Sequence, residues 1–386
     1  MVAVGAGVGA LVLGVSGCGP TLTMVSAPWA ESQAVIESAL FGEKNVTFDQ
    51  APVISVENGR ITTVAVTSND GKKVGGEPIN GGAGWKIDTS DLDFGTKYTV
   101  TANAVDLHGK ETSASDSFKT FVPENELVAT TNLTSGETYG VGMPIVMTFN
   151  QAVEDRAAIE EKLLITADGA PIEGSWHWDS DTQVSYRPKE YWPAGSEVVL
   201  DAEIKGVNAG NQVYAMGNKT EKFDIGPSVV LTQDSTRHQM TVKKNGKVVR
   251  TIPTSSGRPG YDTRSGTKVV MSKEPYVVMD AASLGVAEDD PDYYRLEVYN
   301  AMRITWSGEY IHSAPWSVGS QGYYNVSHGC INVSPDNASW LMNTLNVGDV
   351  ITVKNSGASH DGNDGNGWTQ WNESWSEWQK GSALKG

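Results

Sequence analysis

What most restricts the fold of this chain is a repeated local pattern. Short runs alternate apolar and polar residues, and each run is cut off by a turn signal. Val53-Ile54-Ser55-Val56, Ile61-Thr62-Thr63-Val64-Ala65-Val66 and Lys97-Tyr98-Thr99-Val100-Thr101-Ala102-Asn103-Ala104-Val105 read as strands, with turns at Asn58-Gly59, Asn69-Asp70-Gly71, Asn80-Gly81-Gly82 and His108-Gly109. Alternation with a period of two places successive side chains on opposite faces of a sheet. A helix needs apolar residues every three or four positions, and that spacing is nearly absent. The pattern continues through Ile145-Val146-Met147-Thr148-Phe149, Leu163-Leu164-Ile165-Thr166, Val184-Ser185-Tyr186 and Val198-Val199-Leu200. Further on, Gln239-Met240-Thr241-Val242-Lys243 and Lys247-Val248-Val249-Arg250-Thr251-Ile252 flank Asn245-Gly246, a strong hairpin signal.

The fold class is therefore mainly β, and 386 residues are enough for several independent cores. Residues 45–123 and 124–227 read as two immunoglobulin-like β-sandwich domains, and 228–354 as a β-rich third domain. The third has one clear helix, Pro335-Asp336-Asn337-Ala338-Ser339-Trp340-Leu341-Met342, capped near Ser334. Residues 355–386 combine a Gly/Asp/Asn/Ser linker with a tryptophan-rich tail. In the tail, Trp368, Trp371, Trp375 and Trp378 are spaced by 3, 4 and 3, which predicts one helix face docked back on the third domain. Its neighbours Glu373, Glu377 and Lys380 do not make the strongly basic face of a membrane-surface helix. Trp176 and Trp178 share one strand face and read as sandwich core, with His177 between them pointing to solvent. Residues 280–292 are aperiodic and acidic, a long excursion of the kind that forms lids.

The balance of 29 Lys+Arg against 46 Asp+Glu, a net charge of −17, argues against nucleic acid as a partner, because phosphates demand basic patches. From Val2 to Val15 the chain is apolar or Gly, too short to span a bilayer as a helix, and it fits the apolar region of a secretory signal in residues 1–18. Val15-Ser16-Gly17-Cys18 resembles the bacterial lipoprotein processing box, in which Cys18 becomes the lipid-modified N-terminus and residues 19–44 a tether to the membrane. The chain has two cysteines. With Cys18 lipidated, an exported protein keeps Cys330 alone, and a structural disulfide needs two.

Cys330 lies in Ser327-His328-Gly329-Cys330-Ile331-Asn332-Val333-Ser334, downstream of Tyr310-Ile311-His312-Ser313-Ala314-Pro315-Trp316. A thiol is mostly protonated near neutral pH, so attack on an amide needs a lowered pKa or a base. His328 and His312 are both candidates for the base, and spacing does not rank them. Cys with two His is also a zinc-ligand set, but the spacing matches no common zinc pattern. Gly329 lets a substrate approach and lets the Gly329 and Cys330 amides face a developing oxyanion. Asn332 is placed to hydrogen-bond a substrate carbonyl or carboxylate.

His312-Ser313-Ala314-Pro315-Trp316-Ser317 followed by Ser327-His328-Gly329-Cys330-Ile331-Asn332 closely resembles the signature of the actinobacterial, mycobacterial-type L,D-transpeptidases. The order of lipobox, two immunoglobulin-like domains, catalytic β-domain and Trp-rich tail resembles the architecture of these enzymes. The resemblance implies a peptidoglycan crosslinking enzyme that needs no cofactor. Its Cys330 attacks the third residue of a tetrapeptide donor stem, releases D-Ala and passes the acyl group to a neighbouring acceptor stem as a 3→3 crosslink. It further implies His312 as base, the Ser313 carbonyl as orienter of the imidazole, His328 in support, and Tyr294 and Met279 in the lid and flap. Ser307, Gly308, Trp316 and Asn332 match substrate-contact positions, and carbapenems are expected to acylate Cys330. The same scaffold could instead hydrolyse its acyl-enzyme as a carboxypeptidase, and a non-catalytic wall-binding protein is the alternative outside enzymes.

Overall fold

The computed structural model describes residues 31–48, 52–358 and 365–384. The expected signal segment 1–18, with Cys18, lies outside them. Two compact units divide the chain. One comprises residues up to 43 with 52–88 and 97–118; the other holds 44–51, 89–96 and 119 onward.

The first unit is a sandwich of two four-stranded sheets. One takes Val35–Glu37, Val53–Glu57, Gly84–Ile87 and Gly76–Ile79 in that order; the other runs Lys73–Val74, Gly59–Ser68, Lys97–Asp106, Glu111–Lys119. The alternating residues of 97–106 explain it, since Tyr98, Val100, Ala102 and Ala104 all turn inward and are fully buried.

The second unit begins with another sandwich, whose core includes Ile145, Met147, Phe149, Val198, Leu200 and Phe223. Trp176 and Trp178 are each 6% exposed and belong to that core, as their spacing predicts. The tail departs from expectation. It forms three short pieces, Gln370–Asn372, Trp375–Trp378 and Gln379–Gly381, rather than one helix with a tryptophan face. Its rings pack chiefly on this second sandwich: the Arg187 guanidinium lies 4.9, 5.3 and 5.1 Å from the rings of Trp371, Trp375 and Trp378. His177 is not a solvent-facing residue either. It stacks on Trp378 at 4.4 Å and shares a 3.0 Å hydrogen bond between its Nδ1 and the Trp378 carbonyl. A buried guanidinium needs either an acid or π-faces, and the three indoles supply the latter. Replacing Arg187 with methionine, which keeps the bulk, is expected to lower stability by about 2 kcal/mol in denaturant titrations followed by tryptophan fluorescence. An unchanged midpoint would exclude the clasp.

The catalytic region follows in the same unit, with strands numbered β1 Val229–Asp234, β2 Gln239–Lys244, β3 Lys247–Pro253, β4 Gly266–Val269, β5 Ser272–Asp280, β6 Arg295–Arg303, β7 Tyr310–Ser313, β8 Ile331–Val333 and β9 Val350–Lys354. A five-stranded sheet runs β3-β2-β1-β9-β4 and a four-stranded sheet runs β5-β6-β7-β8. Leu231, Met240, Ile252, Met302, Ile311, Ile331 and Val353 fill the core, together with Ala338 and Leu341 of helix α1, Pro335–Thr344. Ser334 caps α1 by accepting from Asn337 N at 3.3 Å, with Pro335 at the first helical position. The tail touches this region at the edge strand β4. There Asn372 accepts from Thr267 N at 2.6 Å and donates to Thr267 O at 2.7 Å, filling the pairing that an edge strand leaves open.

Candidate active site

The site is built on the one parallel pair of the second sheet. Tyr310–Ser313 is buried at every position, as a strand covered on both faces must be. It pairs in parallel with β8, His312 opposite Asn332. Parallel strands need a crossover, and residues 314–330 supply it, carrying Trp316, Val326 and His328 back to the start of β8. Opposed residues share a face, and Cys330 precedes Asn332 by two, so His312, Asn332 and Cys330 all turn to the same side.

They line one cleft of about 140 Å³ with Met279, Tyr294, Leu296, Trp316, Val326, Ser327 and His328. Seven of the expected site residues therefore meet there: Cys330, His312, His328, Tyr294, Met279, Trp316 and Asn332. Ser313, Gly308 and Gly329 act through their backbone. The Ser313 carbonyl accepts from His312 Nδ1 at 2.9 Å, and Gly308 O lies 3.6 Å from Cys330 Sγ. Ser307 is committed elsewhere: its Oγ accepts from Arg264 Nη1 at 3.1 Å and from Asn366 Nδ2 at 3.0 Å. That leaves it a support of the Gly308 turn rather than a wall of the cleft.

The nucleophile sits in a turn that only glycine can make. Gly329 has φ +122°, and an added Cβ would find room, its nearest neighbour being Glu309 Cγ at 3.7 Å, so conformation rather than space demands the glycine. Ser327 Oγ donates to Cys330 O at 2.6 Å and accepts from Gly329 N at 3.1 Å, while Thr263 Oγ1 holds Gly329 O at 2.7 Å. This corrects one expectation. The Gly329 amide is spent on Ser327, so of the two amides assigned to an oxyanion, the Cys330 N–H is the one outside that bond.

Burial pushes the Cys330 thiol up to about 12, with the nearby Glu309 charge adding to it, although the Tyr310 backbone N–H pulls the other way. Cys330 still exposes part of its surface to the cleft. His312 is only 3% exposed, and burial holds its imidazole below the usual histidine range. Burial thus biases both groups toward their neutral forms. With Nδ1–H given to Ser313 O, the His312 lone pair is on Nε2, the tautomer a base requires.

The two histidines now differ. Arg258 Nη1 lies 2.8 Å from His328 Nε2. Arginine only donates, so Nε2 is the acceptor and the ring is neutral with its hydrogen on Nδ1. Burial and the Arg258 cation both hold the His328 pKa down, against the opposing pull of Asp292. Its basic nitrogen is occupied; that of His312 has no hydrogen-bond partner among the described residues.

A pH dependence follows. With His312 as the base, acylation is expected to rise with pH as the imidazole loses its proton, below the usual histidine range. With the thiol pushed up to about 12, no second rise belongs near pH 8.5, where a free cysteine ionises. Stopped-flow acylation from pH 5 to 10 checks this, and a rise centred near 8.5 would point to an independent thiolate.

Sequence reasoning missed Leu296 and Val326 in the lining, and Arg258, Tyr261 and Asp292 around His328. Leu296 and Val326 carry only the apolar signal shared by every strand residue. Arg258 lies 70 residues from His328 in a turn with no motif.

A cysteine and a buried imidazole lining one small, largely apolar cleft are the parts of a cysteine-dependent acyl-transfer enzyme. Known proteins agree. A family model of the L,D-transpeptidase catalytic domain matches residues 227–353, and one of a bacterial Ig domain matches 43–208. The chain is 34% identical over 383 residues to L,D-transpeptidase 2 of Mycobacterium tuberculosis (strain CDC 1551 / Oshkosh), covering 97% of this chain and 92% of that protein. It is 40% identical over 226 residues to L,D-transpeptidase 1 of Mycobacterium tuberculosis (strain H37Rv), covering 58% of this chain and 84% of that one. The solved structure of LD transpeptidase LdtMt1 in complex with imipenem superposes with a TM-score of 0.51 at 39% identity, covering 60% of this chain and all of that one. The chain belongs to the L,D-transpeptidase family.

Proposed function

We propose that this enzyme joins peptidoglycan stem peptides by 3→3 crosslinks through a Cys330 thioester. The observation that carries the reading is His312, buried, its pKa held down by burial and its Nδ1–H fixed on Ser313 O, lining the same cleft as Cys330. His312 Nε2 takes the thiol proton while sulfur attacks the carbonyl carbon of the third residue in a tetrapeptide donor. The C–N bond to D-Ala breaks, and the imidazolium returns the proton to the leaving amine. An acceptor side-chain amine then attacks the thioester; its proton passes through His312 to the departing sulfur. One amide is broken and one formed. Asn332 Nδ2 donates to Ser317 Oγ at 3.1 Å, and its buried Oδ1 has no partner among the described residues. Oδ1 is thus an acceptor open to a substrate N–H, while the second Nδ2 hydrogen can serve the carbonyl or carboxylate expected from the sequence.

Export as a lipoprotein anchored by Cys18 to the outer face of the membrane, with the immunoglobulin-like domains spacing the site into the wall, belongs to the same proposal. Its support is the apolar run ending in Val15-Ser16-Gly17-Cys18. Incubation of purified protein with tetrapeptide stems tests the chemistry: dimer and D-Ala are expected, and tripeptide alone would make it a carboxypeptidase. Carbapenem should add one adduct mass to Cys330. Cys18→Ser should release the protein from the membrane fraction, and an unchanged distribution would refute the anchor.

A further inference from the structure

Several groups outside the reacting pair converge on His328. Arg258, in the turn after β3, donates from Nη1 to His328 Nε2 at 2.8 Å and from Nη2 to Asp292 Oδ1 at 2.5 Å. Asp292 Oδ2 also accepts from the Tyr261 hydroxyl at 2.6 Å, and the Arg258 guanidinium lies 4.4 Å from the Tyr261 ring. Tyr261 meets the His328 ring edge-on at 4.9 Å, and Tyr294 lies against it at 4.8 Å, tilted by 35°. One guanidinium thus ties the loop just before the nucleophile to the acidic excursion that carries Tyr294. Within that excursion, backbone bonds such as Ala281 N to Tyr294 O at 2.9 Å close its base, and Asp292 is where side chains fasten it to the Cys330 loop.

We propose that Arg258 is a positioning residue that latches the 281–294 lid onto the Cys330 loop through Asp292, holding Tyr294 over the acyl group and excluding water from the thioester. The rigid fork of arginine suits a bridge between two fixed acceptors, which a lysine point charge would not reproduce. The Arg258 and Asp292 side chains are 32% and 43% exposed. A pair so placed biases a lid without freezing it, so that product can leave. It also gives one acidic lid residue a definite task. The proposal rests on the transferase reading for its chemical consequence: a loosened lid admits water and diverts the acyl-enzyme from transfer to hydrolysis.

The test compares wild type with Arg258→Met, Arg258→Lys and Asp292→Asn. Amide hydrogen exchange across 281–294 is expected to quicken about fivefold in Arg258→Met and Asp292→Asn, the size a partly exposed ion pair supports, with the β-sheet cores unchanged. The ratio of hydrolysed to crosslinked product should rise by a similar factor, and Arg258→Lys should recover part of both effects. Lid exchange equal to wild type in Arg258→Met overturns the latch, as does a loss of global stability with an unchanged product ratio. Should Arg258→Met fail to fold, Asp292→Asn decides alone. If wild type yields no crosslinked dimer, the transferase reading falls, whereas the exchange measurement still decides the latch.

Discussion

Replacing His312 with alanine is expected to slow carbapenem acylation of Cys330 by about 10³-fold, whereas His328→Ala slows it by roughly tenfold. Cys330→Ala should show no adduct at all. The asymmetry comes from hydrogen bonding rather than proximity in sequence. His328 is two residues from the nucleophile, but its Nε2 is held by Arg258 at 2.8 Å and cannot take a proton without ejecting a cation. His312 is eighteen residues away, yet the parallel register brings it to the face shared by Cys330 and Asn332. Its Nδ1–H is anchored to a backbone carbonyl, so no acid is needed to set the tautomer. Because the thiol is pushed up to about 12, removal of the base leaves almost no thiolate at neutral pH, and the loss should be large. Raising the pH toward 10 is expected to restore much of the rate in His312→Ala and none in Cys330→Ala. Intact-mass kinetics read all three variants, and equal rates for the two histidine variants would sink the assignment of the base.

That distinction shows which parts of the molecule the sequence exposes. Strand runs and glycine turns are local, so the sheets, the capped helix α1 and the Trp176/Trp178 core follow from patterning alone. The reacting cysteine is legible because its neighbours are chemically unusual. The parallel register of β7 and β8 is not legible, since it depends on a 314–330 crossover whose hydrogen bonds reach to Ser235 and Ser256. The tail misleads for a related reason. Its 3-4-3 spacing fits a helix face, but Arg187, more than 180 residues upstream, draws Trp371, Trp375 and Trp378 around one cation. Arg258 stays hidden for the same cause: a single side chain in a turn acquires meaning only from what the fold sets beside it.

The same blindness covers the pair beneath the nucleophile. Lys268 is fully buried, and its Nζ donates to Glu309 Oε2 at 2.7 Å and to Arg264 O at 2.6 Å. Glu309 Oε1 accepts from Arg264 N at 2.9 Å. Glu309 stands between Gly308, whose carbonyl faces Sγ, and Tyr310, whose backbone N–H reaches the sulfur. Lys268→Met is therefore expected to destabilise the catalytic region by about 3 kcal/mol, because it leaves the buried Glu309 carboxylate only the partly exposed Arg264 guanidinium, 3.5 Å from Oε1, as a counter-charge. Glu309→Gln added to Lys268→Met removes the buried charge and should recover more than half of that loss. The chemistry should move in parallel. The Glu309 charge already raises the thiol, so a Glu309 that has lost its buried partner raises it further and slows acylation, while the double variant reverses the trend. Denaturant unfolding of the single and double variants, with acylation rates from the same preparations, measures both effects. A Lys268→Met protein within about 1 kcal/mol of wild type would mean that water reaches the pair and relieves the charge, since exposed ion pairs contribute no more than that.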